Sequence, residues 1–224
     1  MCGRFSFVTT KKIIQDQLGI TATQELETSY NIAPTQRAYV ITNENPNVLQ
    51  KMAWGLLPSW SRDGIVTGKL INARKEGIQS KPSFRMSVRY KRCLVLADSF
   101  YEWRREGTRK IPYRIFLKDQ SIIAMAGVWD SWTDGSKVIN SFSVITTPPN
   151  TEMQSIHSRM PVILNTSDKQ KVWLQAKQLD IALTLLHTLE DGTLEMYRIS
   201  EKLNSPKHDF ASLHEAVPEP PTLF

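Results

Sequence analysis

The apolar residues of this chain fall into short runs bounded by turn-forming residues. RAYVITN (37–43), VLQKMAW (48–54), RCLVLA (92–97), PYRIFLK (112–118), IIAMAGVW (122–129) and NSFSVITT (140–147) are rich in β-branched and aromatic side chains. Such runs predict strands. Turn sequences such as NENPN and TDGS separate several of them. LEMYRIS adds a late strand, and MPVIL (160–164) reads as a buried one. Three stretches suit helices: KKIIQDQL, capped by Thr9 or Thr10 and ended by Gly19; SDKQKVWLQ, capped by Ser167 or Asp168; and DIALTLLHTL. No repeat, low-complexity segment or Pro/Gly linker divides the chain. The pattern therefore predicts one α+β domain over 1–224, built on mainly antiparallel, barrel-like sheet with flanking helices. AVPEPPTLF (216–224) reads as a loosely packed tail.

Composition narrows the class. At 224 residues and 41% hydrophobic, the chain can bury a sizeable core. No apolar run approaches the roughly 20 residues of a membrane span, and the N-terminal residues lack the apolar region of a signal peptide. Two cysteines, Cys2 and Cys93, supply neither a disulfide framework nor a zinc site. The expectation is a cytoplasmic monomer, nucleoid-associated if bacterial, with no metal or cofactor. Charge is uneven: residues 1–112 hold 18 Lys and Arg against 9 Asp and Glu, whereas residues 113–224 hold 10 against 13. That asymmetry points to a polyanion partner, although a basic surface with no partner has the same composition.

Four positions suggest chemistry. Removing Met1 would leave Cys2 with a thiol and a free α-amine two carbons apart. A terminal amine titrates at about 7.7–8, so part of it is unprotonated near neutrality. Such an aminothiol can attack an aldehyde with nitrogen and then close a thiazolidine ring with sulfur. The alternative is that Cys2 is a small apolar residue buried in an N-terminal strand. In DSFYEW, Glu102 lies between Tyr101 and Trp103, where desolvation would raise its pKa toward the range useful for proton transfer; the alternative is a half-exposed glutamate paired with Arg104 or Arg105. His157 stands just before MPVIL and can shuttle protons. His187, in an apolar helix, and His208 and His214, in the C-terminal segment, read as non-catalytic. In LINARKEG, Asn72 can donate and accept hydrogen bonds and Arg74 offers a planar fork to phosphate; if the segment is extended, residues 72, 74 and 76 share a face. In WGLLPSWSRDG, Trp54 reads as core, while Trp60 beside Arg62 suits stacking on an unpaired base and contact with phosphate.

Together these segments resemble the SRAP family, the SOS-response-associated peptidases or abasic-site-processing proteins. The resemblance runs in order through MCGRF (1–5), YNIAPTQ (30–36), WGLLPSW (54–60), INARKE (71–76), DSFYEW (98–103) and HSRMPVIL (157–164). It implies that Cys2 captures the ring-opened aldehyde of an abasic site in single-stranded DNA as a stable thiazolidine crosslink. Asn72, Glu102 and His157 are then the other active-site residues. Arg4, Arg74, Arg85 and Arg159 are the implied DNA contacts, and Trp60 a stacking or wedge residue. Single strands or strand–duplex junctions are the implied partners, and associated lyase and self-processing peptidase activity is a further implication of the resemblance. Gly77 departs from the hydroxyl residue common after the glutamate. Two other readings use the same residues: an N-terminal-nucleophile cysteine peptidase or amidohydrolase, and a non-catalytic module binding single-stranded nucleic acid.

Overall fold

The computed structural model describes residues 2–218, and in it each of the six central apolar runs is a strand. The strands are β1 Phe5–Phe7, β2 Ser29–Ile32, β3 Arg37–Thr42, β4 Gln50–Trp54, β5 Asn72–Arg74, β6 Arg92–Ala97, β7 Ser99–Glu106, β8 Arg109–Leu117, β9 Ile123–Asp134, β10 Lys137–Thr147, β11 Met160–Pro161 and β12 Leu194–Arg198. The helices are α1 Lys11–Leu18, α2 Arg85–Tyr90, α3 Ser167–Gln175 and α4 Leu179–Leu183. This is the expected α+β class.

Two sheets share one core. The first runs β12-β8-β7-β1-β2, antiparallel throughout; the second runs β11-β10-β4-β3-β6-β9. Because β9 also pairs with β10, the strands β10, β4, β3, β6 and β9 close into a barrel. The apolar runs of β6 and β9 are buried along their paired lengths, as strands covered on both faces must be. Gly127 makes that closure possible, since a Cβ there would stand 2.9 Å from Cys93 Sγ. Trp54 joins the sheets: its wholly buried ring lies 4.7 Å from Phe5 of the first and 6.4 Å from Phe142 of the second, centroid to centroid.

β10 departs from the antiparallel rule and positions the site. It pairs in parallel with β4 (Phe142 opposite Trp54) and, further along the same edge, with β5 (Val144 opposite Asn72). The chain between β4 and β5 must therefore leave the sheet. Leu57 N–H donates to Ser141 Oγ (2.7 Å), Ser59 N–H to Asp130 Oδ2 (2.8 Å) and the Trp132 indole to Ser61 O (2.8 Å), pinning this excursion to the β9–β10 hairpin. Gly64 completes it at φ +60°, where an added Cβ would lie 2.4 Å from the Trp132 ring.

Helix ends follow their capping residues. Thr10 accepts from Ile13 N–H and Gly19 ends α1 at φ 69°. The cap of α3 is Thr166, one residue before the expected Ser167 or Asp168, because its hydroxyl reaches Lys169 N–H. DIALTLLHTL is helical only to Leu183; the Thr184 hydroxyl bonds back to Ile181 O, and His187 stands outside the helix. MPVIL is buried; it pairs as a strand at Met160–Pro161 and adds an isolated bridge from Ile163 to Met125. The unanticipated α2 buries Ser87 and Val88, too few positions to show a helical period. The buried Arg92 guanidinium ties α2 and α3 to the barrel by donating to Val88, Arg89, Trp173 and Ala176 carbonyls. The tail beyond residue 218 lies outside the described residues, and its beginning is pinned by Val217 N–H on Arg198 O (2.9 Å). No helix among the described residues is long and apolar enough to cross a membrane.

Candidate active site

Strand register brings the site together from both sheets. β1 lies against β7 with Phe5 opposite Phe100, and Tyr101 N–H donates to Arg4 O (2.9 Å), so the N-terminal residues run alongside Glu102. From the barrel, β10 carries β5 on one side and β11 on the other, with Thr146 opposite both Arg74 and Pro161. Asn72 and the turn bearing His157 thus meet over the end of β10. Asn72 Nδ2 donates to Cys2 O at 2.7 Å, and His157 Nδ1 stands 4.0 Å from Glu102 Oε1. The structure therefore gathers Cys2, Asn72, Glu102 and His157 at one corner where the sheets abut. Met1 lies outside the described residues.

Burial sets the electrostatics of this corner. Glu102 is 2% exposed, and desolvation pushes its carboxyl up to about 7. Cys2 is wholly buried; burial, and after it the Glu102 charge, pushes its thiol well above the ordinary range. Burial also pushes His157 down, with Arg105 and Arg159 adding like-charge repulsion. Nδ1 of His157 lies 3.0 Å from Arg159 N and 3.2 Å from Arg159 O, so the Arg159 backbone holds this edge of the ring. Beside the pair opens a pocket of about 550 Å³ lined by Glu102, Trp103, Arg105, Lys110, His157 and Asn204. A larger hollow, about 860 Å³, lies beside β3 and contains none of the four residues.

The anticipated DNA contacts divide into two groups. Arg74 and Arg85 are exposed, with no side-chain partner among the described residues, and the Trp60 ring is 64% exposed. Arg4 and Arg159 are engaged by the protein instead. Arg4 Nη1 donates to Asn31 Oδ1 (2.6 Å) and Leu203 O (2.8 Å); Arg159 forks onto Glu76 (3.1 and 3.0 Å) and also reaches Thr146 O (2.6 Å). Both brace the site in this structure. Residues 72, 74 and 76 do not share a face, because the strand stops at Arg74 and a 3-10 turn, Lys75–Gly77, follows. Gly77 sits in that turn at negative φ, and Ser80 Oγ donates to its carbonyl. Arg105 and Lys110 were missed as pocket residues; the Gly107 turn in WRREGTRK was the available signal, since it folds one back beside the other. Asn204 arrives from a distant segment with no local signal.

Comparison with known proteins identifies the family. The family model described as SOS response associated peptidase (SRAP) matches residues 1–206. The chain belongs to the SRAP family. Among SRAP relatives, the abasic site processing protein YoaM of Bacillus subtilis is 42% identical, the match covering 96% of this chain and 98% of that protein. The abasic site processing protein HMCES of Xenopus tropicalis is 29% identical over 84% of this chain and 66% of its own length. The SRAP chain also superimposes on a crystal structure of a protein from Bacteroides thetaiotaomicron, with TM-score 0.79, 29% identity and 95% of this chain covered.

Proposed function

We propose that this SRAP protein captures the open-chain aldehyde of an abasic site in single-stranded DNA through Cys2. The reading is carried by the meeting of Cys2, Asn72, Glu102 and His157 at one corner, and the relatives named for abasic-site processing support the substrate class. Capture begins once Met1 is removed and Cys2 carries a free amine. The amine nitrogen attacks the aldehyde carbon, and loss of water from the carbinolamine gives an imine. Cys2 Sγ then adds to the imine carbon while the thiol proton passes, by way of Glu102, to the imine nitrogen. The ring closes with net loss of one water.

Each neighbour has a part in this scheme. A carboxyl titrating at about 7 can both take and return a proton near neutrality. Neutral His157 donates its ring proton to the sugar oxygen as the ring opens. Asn72 holds the Cys2 carbonyl through Nδ2, and its buried Oδ1, unpartnered among the described residues, can accept from the amine or the sugar. Trp60 stacks on an unpaired base, which favours single strands and strand–duplex junctions, while Arg74 and Arg85 contact phosphates. Arg4 and Arg159 hold their segments in place; Arg159 reaches a phosphate by exchanging the half-exposed Glu76 carboxylate for it.

Intact-mass spectrometry after incubation with an oligonucleotide bearing one abasic site tests the proposal. The expected product is the protein without Met1 plus one oligonucleotide minus one water. An unmodified protein, or an adduct mapped to Cys93, overturns it. Turnover of unrelated peptides without any adduct would mark a hydrolase instead.

A further inference from the structure

The β7–β8 hairpin carries an electrostatic mismatch that its own fold does not explain. At its tip the pairing is complementary: Glu106 stands opposite Arg109, and Arg109 also reaches Glu201 Oε1 at 3.2 Å. One step inward, Arg105 stands directly opposite Lys110. Like charges facing each other across an antiparallel pair are destabilising. The neighbouring Arg104 is satisfied, with Nη2 2.7 Å from Glu106 and its guanidinium over the Tyr113 ring. Arg105 and Lys110 have no ion pair or side-chain hydrogen bond among the described residues, and both are exposed.

Their position says what would offset the repulsion. Both line the pocket that Glu102 and His157 wall. β1 pairs with β7 only at its start, through Phe5 and Ser6, so the outer half of β7 is free of β1 and the pocket opens beside it. Trp103 floors it, with its indole N–H donated to Asn204 Oδ1 (2.7 Å), which fixes the ring plane. Two unpaired cations sharing a pocket with an anchored aromatic ring suit a phosphodiester with its nucleoside turned toward that ring.

We propose that Arg105 and Lys110 bind the phosphate adjoining the captured sugar, with Trp103 supporting the attached nucleotide. The strand then crosses the reacting corner from the Trp60 and Arg74 side to the β7–β8 hairpin, held by cations on both flanks. This inference rests on the capture reading and adds to it a subsite on the opposite side of Glu102 from Cys2's own strand.

The test uses the full chain and a single-stranded oligonucleotide carrying a tetrahydrofuran, an abasic analogue without an aldehyde. Affinity is measured by fluorescence anisotropy between about 50 and 200 mM salt. The Arg105→Ala/Lys110→Ala double variant is expected to flatten the slope of log affinity against log salt by about 0.7, the value for one phosphate on a single strand. Arg109→Ala, which removes a cation of the same hairpin outside the pocket, is expected to keep the wild-type slope. Thermal stability of the double variant is expected to equal or exceed wild type, because a repulsion has been removed. A double variant with the wild-type slope, in a preparation whose wild type crosslinks a true abasic site, overturns the subsite and leaves capture standing. Failure of the wild type to crosslink overturns capture, and the subsite with it.

Discussion

Replacing Glu102 with glutamine should make the protein more stable and less able to close the ring. The carboxyl is 2% exposed, and burial raises its pKa from the ordinary 4.5 to about 7. The folded protein therefore holds this proton more tightly than the unfolded chain does. The cost of keeping the ionised group buried is absent below about pH 4.5, grows as pH rises, and is complete above about pH 7. At about 1.4 kcal/mol per tenfold change, it amounts to about 3 kcal/mol. Glu102→Gln keeps the shape and removes the charge. For a chain of this size it should melt roughly 6–12 °C higher than wild type near pH 8, with the two curves converging near pH 5. Differential scanning calorimetry across that range reads the difference. The same variant should accumulate borohydride-trappable imine and form thiazolidine slowly. Equal melting temperatures near pH 8, or a constant offset at all pH values, would refute the claim that Glu102 is a strained buried acid.

Four further outcomes follow from the geometry. Cys2→Ala, processed to a free terminal amine, should give an adduct only when borohydride is present; a stable adduct without reductant would exclude the thiazolidine route. Trp60→Ala should weaken non-covalent binding of single-stranded DNA by about 1–3 kcal/mol, leaving the melting temperature unchanged because the ring is 64% exposed. Gly64→Ala should mimic that loss in anisotropy titrations, since the new Cβ would press on Trp132 and displace the excursion that carries Trp60. In the Glu102→Gln protein, the His157 ring resonances should titrate below pH 6.5 by NMR, because burial lowers the pKa below that ordinary value. A midpoint at or above 6.5 would mean that His157 titrates as an exposed imidazole.

Much of the fold is written in local pattern. The runs that became β3, β4, β6, β8, β9 and β10 are short, apolar and β-branched, and α1 carries its own start and stop in Thr10 and Gly19. What escaped was set by partners distant in sequence. β5 exists only as a three-residue partner of β10 and gives way to the turn at Lys75–Gly77, and DIALTLLHTL unwinds after Leu183 despite its apolar content. The four residues of the site were legible from their chemistry and from the family resemblance, but their relative placement was not. Nothing near Arg4 or Arg159 announces that Asn31, Leu203, Thr146 and Glu76 would occupy their guanidiniums. The Arg105–Lys110 mismatch needed the hairpin register to become visible.

The site draws on both ends of the chain: Cys2 precedes the first strand, and His157 enters only with the turn before β11. A ribosome therefore releases the proposed nucleophile long before it releases the groups proposed to act with it. Until β10 has formed and carried β5 and the His157 turn into place, Cys2 is an ordinary thiol on an open segment, exposed to any aldehyde or oxidant nearby. Its safety lies in how early β1 finds β7, whose Glu106 leaves the ribosome only some fifty residues ahead of His157. The Met1 removal that the proposed capture requires belongs to the same interval, before burial closes over the sulfur. In this protein the schedule of synthesis and the schedule of chemical reactivity are one sequence of events.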